Sequence, residues 1–143
     1  MTYNELGQAI DAGYTLDKLT VFNYSEMGND LLEDGLYVLE DKLADAAFKD
    51  KMVRFVRASM KGLNYALANP DEAAQIVVDN GGQDLDLQKY MMGEVAKLTA
   101  GANGVLDEAA YDRTAKAVLD QKIISKEPTG AWTHDITDAA GLK

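Results

Sequence analysis

The chain has 143 residues and a formal net charge of −10, and its length suffices for one domain with its own core. Because phosphate binding needs clustered lysine and arginine, this acidity argues against a nucleic-acid partner. There is no cysteine and one histidine, His134, which excludes disulfides, zinc–thiolate sites and histidine-rich metal clusters. No apolar run reaches membrane-spanning length, and the first residues, MTYNELGQAID, lack the pattern of a signal peptide.

The front of the chain predicts a short helix and one or two strands. Asn4 is a candidate cap for a helix that ends near Gly13. Residues 19–24, LTVFNY, are β-branched and aromatic, which favours a strand. Residues 35–39, GLYVL, are the second strand candidate, with a direct run into helix as the alternative. The polar and acidic stretch at residues 25–34 predicts a loop between them.

Residues 43–74 contain the strongest helical signal. Apolar residues recur at the i, i+3, i+4, i+7 spacing of a helix face that packs in a core, and the opposite face is basic, as is typical of a solvated stripe. Asn69-Pro70 predicts a sharp corner into a second helix, with Asn69 and Glu72 suited to a capping box. The apolar face consists of Phe48, Met52, Phe55, Val56, Ser59, Met60, Leu63 and Leu67, and the basic face of Lys49, Lys51, Arg54, Arg57 and Lys61.

The remainder of the chain predicts further helices. One covers residues 70–80 and is closed by Gly81-Gly82, one follows at residues 87–98, and one begins at an Asp107 cap and runs to about residue 122. Residues 132–140 predict a tail with one helical turn. Since an isolated pair of strands is rarely stable, the pattern indicates an α-rich fragment of an α/β fold, with one or two N-terminal strands followed by about four helices.

Two sequence patterns carry a family resemblance. Residues 55–73 read F..AS.KG..YA..NPDEA, which places a small residue and a glycine on a long helix and Asn-Pro-Asp-Glu-Ala at the start of the next. Residues 22–38, FNYSEMGNDLLEDGLYV, are the second. With the opening MTYNEL and the later segments GVLDEAAYDRTAKAVL (residues 104–119) and IISKEPTGAWTHDI (residues 123–136), they resemble, over nearly the whole chain, the C-terminal half of ABC-transporter solute-binding proteins. The branch that they resemble is NMT1-like, near the thiamine-pyrimidine and taurine/alkanesulfonate binders. The resemblance implies a type-II periplasmic-binding-protein fold, whose two α/β lobes close on a small molecule.

The resemblance also implies a domain organisation and a location. Residues 1–143 would be a single unit, with residues 1–34 as the inter-lobe cleft and crossover segment and residues 35–143 as the helical part of the first lobe. Much of a full family member has no counterpart here, so a truncated or split form is expected. The implied location is periplasmic or that of an extracellular lipoprotein. The implied partners are a small-molecule solute and an ABC permease, and no cofactor is implied.

Tyr3, Asn4 and Glu5 are the main candidates for a solute site. Tyrosine offers a face for stacking, asparagine a donor and an acceptor, and glutamate accepts paired N–H bonds from an amino-substituted ring. The residues alone favour another role, in which Asn4 and Glu5 stabilise the start of the first helix. The resemblance reverses this preference and predicts ligand contact. A second group, for which a solvated loop is the alternative, consists of Asn23, Tyr24 and Glu26, with Asp30 beside it.

Other polar clusters predict no site. His134 stands between Trp132 and Asp135, and a lone histidine there favours a packing or surface role. The acidic pairs lack the spacing of a calcium loop, so helix caps and solvation explain them better, and nothing in the sequence positions two carboxylates for glycoside chemistry.

The predicted function is binding without catalysis. The chain would bind a small heteroaromatic solute, similar to a pyrimidine or a thiamine precursor, or a sulfonate, by hinge closure. One alternative is a helical interaction module derived from a truncated or split binding protein, which would form a homodimer through the face left by the missing lobe. Another is a relative of a pyrimidine-forming synthase, whose thiol-rich motif is absent from this cysteine-free sequence.

Overall fold

The computed structural model describes residues 1–142 and contains helices only within that range. Lys143, the last residue of the predicted unit, lies outside the described residues. Two short 3₁₀ helices, Leu16–Lys18 and Glu40–Ala44, precede the longest helix. The α-helices are α1 (Glu5–Asp11), α2 (Ala46–Ala68), α3 (Pro70–Gly81), α4 (Leu85–Leu98), α5 (Glu108–Asp120) and α6 (Asp135–Ala140). Across residues 1–142, no helix combines the length and apolar character needed to cross a membrane.

The predicted strands at residues 19–24 and 35–39 are not present, so the expectation of an α/β arrangement with N-terminal strands is wrong for the described chain. The backbone is extended at Leu19 (φ −115°, ψ 141°) and Leu39 (φ −71°, ψ 135°). Extended dihedrals alone do not make a strand, because a strand needs a neighbour with which to form a hydrogen-bonded ladder. Composition predicted the local backbone shape but carried no information about a pairing partner.

The corner between α2 and α3 forms where Asn69-Pro70 predicts it, but with different hydrogen bonds. Pro70 occupies the first turn of α3, where its missing N–H costs nothing. The Asn69 side chain does not cap α3; its Nδ2 donates to the Tyr65 carbonyl at 2.9 Å. Glu72 accepts a 2.7 Å hydrogen bond from the Tyr65 hydroxyl. The predicted capping box is therefore wrong, and Tyr65 joins the two helices instead.

Aspartate side chains begin the next two helices. Asp84 accepts from the Leu87 amide at 3.0 Å at the start of α4, and Asp107 accepts from the Ala109 amide at 3.0 Å at the start of α5. Each carboxylate satisfies an amide that has no partner within its helix. The Asp107 cap is thus confirmed. At the end of α3, Gly82 adopts φ 66°, the left-handed conformation that favours glycine at this position.

The chain divides into two compact units, and the division falls within α2. Unit 1 consists of Met1–Val21 and Ala58–Ala102, and so contains α1, the second half of α2, α3 and α4. Unit 2 consists of Phe22–Arg57 and Asn103–Lys143, with the first half of α2, α5 and α6. The assignment of residues 1–34 and 35–143 to parts of a two-lobe architecture stays a prediction.

The buried apolar positions of both units are occupied by alanine. The buried apolar residues are Ala73 and Ala74 in unit 1 and Ala110 and Ala140 in unit 2. The predicted helix α2 is confirmed, but none of its residues is buried. Its apolar face is largely half-buried, and Phe55 remains 53% exposed. The periodicity therefore identified the inward face of α2 correctly and overestimated how deeply it is covered.

Candidate functional site

Tyr3, Asn4 and Glu5 lie at the start of α1 in unit 1, and α4 positions this helix. Gly7 is buried under the Tyr90 ring: a Cβ built on Gly7 would lie 2.6 Å from Tyr90 Cε1. The Tyr90 hydroxyl donates to the Thr2 carbonyl at 3.0 Å. The glycine thus permits a close approach that brings the tyrosine over α1. This packing fixes α1, and with it the backbone that carries the three candidate residues, against α4.

The polar atoms of this group are partly engaged. Asn4 Oδ1 accepts from Gln8 Nε2 at 2.7 Å, so Asn4 stands at the cap position without capping the helix through its side chain. Glu5 Oε2 lies 2.7 Å from the Met1 amine. Two hydrogen bonds hold the pKa of the Glu5 carboxyl below its usual value: the larger cause is the one donated by that amine, and the smaller is the one donated by the Glu5 backbone amide. Glu5 is therefore an exposed carboxylate that accepts hydrogen bonds.

Asn23, Tyr24 and Glu26 form a turn in unit 2. Asn23 Oδ1 accepts from the Ser25 amide at 3.1 Å, and Asn23 Nδ2 donates to Glu26 Oε1 at 3.0 Å. These bonds are typical of a self-contained asparagine turn. Tyr24 is 69% exposed. The structure brings these three residues together with one another, but in a different unit from Tyr3, Asn4 and Glu5.

Asp30 has a structural partner in unit 2. Its carboxylate lies 3.6 Å from Arg113 Nη2, and its carbonyl accepts from Arg113 Nε at 3.4 Å. Two residues later, the Leu32 amide donates a hydrogen bond to the Thr114 hydroxyl at 2.9 Å. Both contacts attach the non-helical segment around residues 30–32 to α5. Asp30 therefore serves this attachment in the described structure.

His134 packs against aromatic rings, in agreement with the packing role predicted for it. Its ring centroid lies 4.7 Å from that of Trp132, which in turn lies 6.2 Å from that of Tyr111. His134 Nε2 lies 3.2 Å from the Leu106 carbonyl, and Nδ1 lies 3.8 Å from a Glu108 carboxylate oxygen. Within residues 1–142, no group of three or more acidic, histidine or cysteine side chains is arranged to hold a metal ion.

The sequence pattern did not indicate a pocket in unit 1, which is called here the α3 pocket. It has a volume of about 460 Å³ and lies where α2, α3 and α4 meet. The signal that could have indicated it is the set of small residues at helical spacing on α2 and α3, which keeps side chains out of the space between the helices. The lining residues are Gly62, Tyr65, Ala66, Ala73, Ala74, Ile76, Val77, Gln88, Met91, Met92 and Val95.

Comparison with protein families supplies the identification. A family model described as NMT1/THI5 like matches residues 2–73, half of the chain. The chain belongs to the NMT1/THI5-like family. Membership indicates a protein of solute-binding type, and the family is mostly solute-binding. Neither a curated protein nor a solved structure shows significant similarity to the chain.

The NMT1/THI5-like match covers both candidate groups and only part of the α3 pocket. Tyr3 to Glu5 and Asn23 to Glu26 lie within residues 2–73, as does the long helix that carries the motif at residues 55–73. The pocket residues on α4, from Gln88 to Val95, lie beyond the match, as do Ala74, Ile76 and Val77 on α3. Family membership therefore bears on the two candidate groups and leaves most of the pocket unassigned.

Proposed function

We propose that this chain is a solute-binding component of an ABC importer, located in the periplasm or on the cell exterior, and that it binds a small heteroaromatic solute. The observation that carries the proposal is the NMT1/THI5-like match over residues 2–73, which includes all six candidate ligand residues. Binding involves no bond formation or cleavage. The solute favours the conformation for which it has the higher affinity.

The charge of Glu5 favours a nitrogen-containing ring over a sulfonate. A glutamate carboxyl is ionised at neutral pH even at its ordinary pKa, and the pKa of Glu5 is lowered further, so the carboxylate accepts N–H bonds and repels an anionic sulfonate. Tyr3 beside it offers an aromatic face on which a flat ring stacks. The Nδ2 of Asn4 remains a donor, since the Gln8 bond uses its oxygen. A ring with an amino substituent and an acceptor nitrogen matches this set.

Substitution of Tyr3 or Glu5 tests the site. In isothermal titration calorimetry with 4-aminopyrimidine, we expect Tyr3→Ala and Glu5→Ala each to raise the Kd about tenfold, the effect of one lost stacking or charge-assisted contact. Ethanesulfonate is expected to bind weakly to the wild type and more tightly to Glu5→Ala. The matched controls are Tyr14→Ala and Glu127→Ala, both at exposed positions. Equal Kd values for all five proteins would refute the site assignment.

Exposed apolar side chains favour a second candidate function, a helical interaction module that forms a homodimer. Four large apolar side chains are between 68% and 82% exposed and so take no part in a core: Phe22, Tyr37, Leu39 and Ile123. Exposed apolar side chains that adjoin one another often mark interfaces. In sedimentation velocity, the dimer hypothesis predicts a mass near twice 15.5 kDa at micromolar concentration. A species that stays monomeric across a hundredfold concentration range would contradict it.

A further inference from the structure

The α3 pocket contains a buried amide group with unused hydrogen-bonding capacity. Gln88, on α4, is only 9% exposed and lines the pocket. The hydrogen bond of its side chain in the described structure is a 3.5 Å contact from Nε2 to the Met91 sulfur, and a thioether is a weak acceptor. Among the described residues, every side-chain nitrogen or oxygen atom that is fully shielded from solvent has a hydrogen-bond partner. The Gln88 oxygen accepts none of the hydrogen bonds described for residues 1–142, so it keeps some access to solvent, and the residue that carries it lines the pocket.

The remaining polar group of the pocket is already used. The Tyr65 hydroxyl donates to Glu72 at 2.7 Å, which raises the pKa of the phenol and fixes its proton on that bond. The other lining side chains are apolar, apart from the glycine. A ligand with a charge would lose its hydration there without a charged partner in the lining. The lining thus favours an uncharged compound with one polar edge directed at Gln88.

The size and shape of the pocket suit a small ring compound. A volume of about 460 Å³ falls in the range of ligand pockets, roughly 300–1,000 Å³. A Cβ built on Gly62 meets no atom within 4 Å, so the α2 side of the pocket is open next to that glycine. Met91 and Met92 on the α4 side are flexible and polarisable, which lets them adapt to an aromatic face.

We propose that the α3 pocket binds a small, flat, uncharged ring compound with a lactam or carboxamide edge. The ring lies between the apolar residues of α3 and the methionines of α4. Its N–H donates to Gln88 Oε1, and its carbonyl accepts from the second Nε2 hydrogen, which gives a paired amide–amide contact. This site is separate from Tyr3 and Glu5, and does not depend on the solute proposed for them.

Isoquinolin-1-one, a bicyclic lactam, is the probe that tests the proposal. In titrations followed by ¹H–¹⁵N spectra, we expect it to shift amide signals of α3 and α4. Gln88→Met, which keeps the volume and removes the amide, is expected to raise the Kd about tenfold, corresponding to the loss of about 1.4 kcal/mol. The N-methyl derivative of the probe, which lacks the donor, is expected to bind the wild type about as weakly as the lactam binds Gln88→Met.

Filling the pocket provides a test that does not depend on removing a buried group. Gly62→Leu occupies the open space without a clash at Cβ and replaces a glycine within a helix, so the fold is retained and binding is lost. The matched control is Gly93→Leu, at an exposed α4 glycine outside the lining where a Cβ also meets no atom within 4 Å. The control binds like the wild type.

Three results would overturn the proposal. The first is the absence of binding to the wild type at millimolar probe. The second is equal affinity for the wild type and Gly62→Leu, which would place the probe elsewhere. The third is a wild-type dimer that Gly62→Leu converts to a monomer, since a second copy of the chain would then occupy the pocket.

Discussion

Gly7→Ala is expected to lower the free energy of unfolding by about 1 kcal/mol, although alanine is the better helix former. The new Cβ would lie 2.6 Å from Tyr90 Cε1 and 2.7 Å from Cδ1, so the ring must move away from α1. Overpacking of this kind costs about 1–3 kcal/mol, which the helix preference for alanine, about 1 kcal/mol, offsets only in part. Chemical denaturation followed by circular dichroism measures the difference.

A double-mutant cycle with Tyr90→Ala separates the clash from other effects. Once the ring is removed, Gly7→Ala is expected to be neutral or to stabilise by about 0.5–1 kcal/mol, because only the helix preference remains. Gly93→Ala, where a Cβ meets no atom within 4 Å, is the control and is expected to stabilise in either background. Stabilisation by Gly7→Ala in the wild type would contradict the packing of α1 on α4 through this glycine.

Arg57→Ala is expected to destabilise unit 2 by about 1–2 kcal/mol through loss of α6. Arg57 Nη2 donates to the Ala139 carbonyl at 3.1 Å and Nε donates to the Ala140 carbonyl at 3.3 Å. These carbonyls are at the end of α6, where they have no partner within the helix. Since α6 has only six residues, it depends on such contacts for its stability. Hydrogen exchange of the Gly141 and Leu142 amides is expected to accelerate.

Arg54 provides the matched control on the same helix. Its Nε lies 3.0 Å from Asp50 four residues earlier, an exposed pair for which Arg54→Ala is expected to cost about 0.3–0.5 kcal/mol. Arg57→Lys is expected to recover only part of the lost stability. An ammonium group does not present two N–H donors in one plane, as the guanidinium does to the two carbonyls. If Arg54→Ala and Arg57→Ala proved equally mild, the attachment of α6 by Arg57 would be refuted.

The helices could be predicted from local signals, and their partners could not. Pro70, Gly82 and Asp107 act within one turn of the chain, so the sequence predicted where α3 begins and ends and where α5 begins. The strand signal of residues 19–24 depends on a distant neighbour, which composition does not report. Arg57 has the same spacing as the other basic residues of α2, and only the tertiary fold distinguishes it from a solvated side chain.

The candidate sites also differ in whether local sequence or only the tertiary fold brings their residues together. Tyr3, Asn4 and Glu5 are adjacent in the sequence, so their proximity needed no fold to establish it. The α3 pocket combines residues from three helices, and a glutamine such as Gln88 is usually exposed, so its burial could not be inferred from residue type. A pattern of small residues indicates close packing more often than an opening, and only the geometry distinguishes the two at Gly62.

The segment of residues 36–39 is not paired with a strand anywhere in residues 1–142, and the acidic residues beside it have a role that follows from this. Leu36, Tyr37 and Leu39 are each more than half exposed, and an extended apolar run of this kind is prone to aggregate by pairing with its own copies. Acidic residues stand on both sides of it, and in an antiparallel pair of copies they would face one another. These gatekeepers are Glu33, Asp34, Glu40 and Asp41. Their repulsion opposes strand pairing between copies of the segment, so a homodimer that uses Tyr37 and Leu39 would form by side-chain packing and not by extension of a sheet.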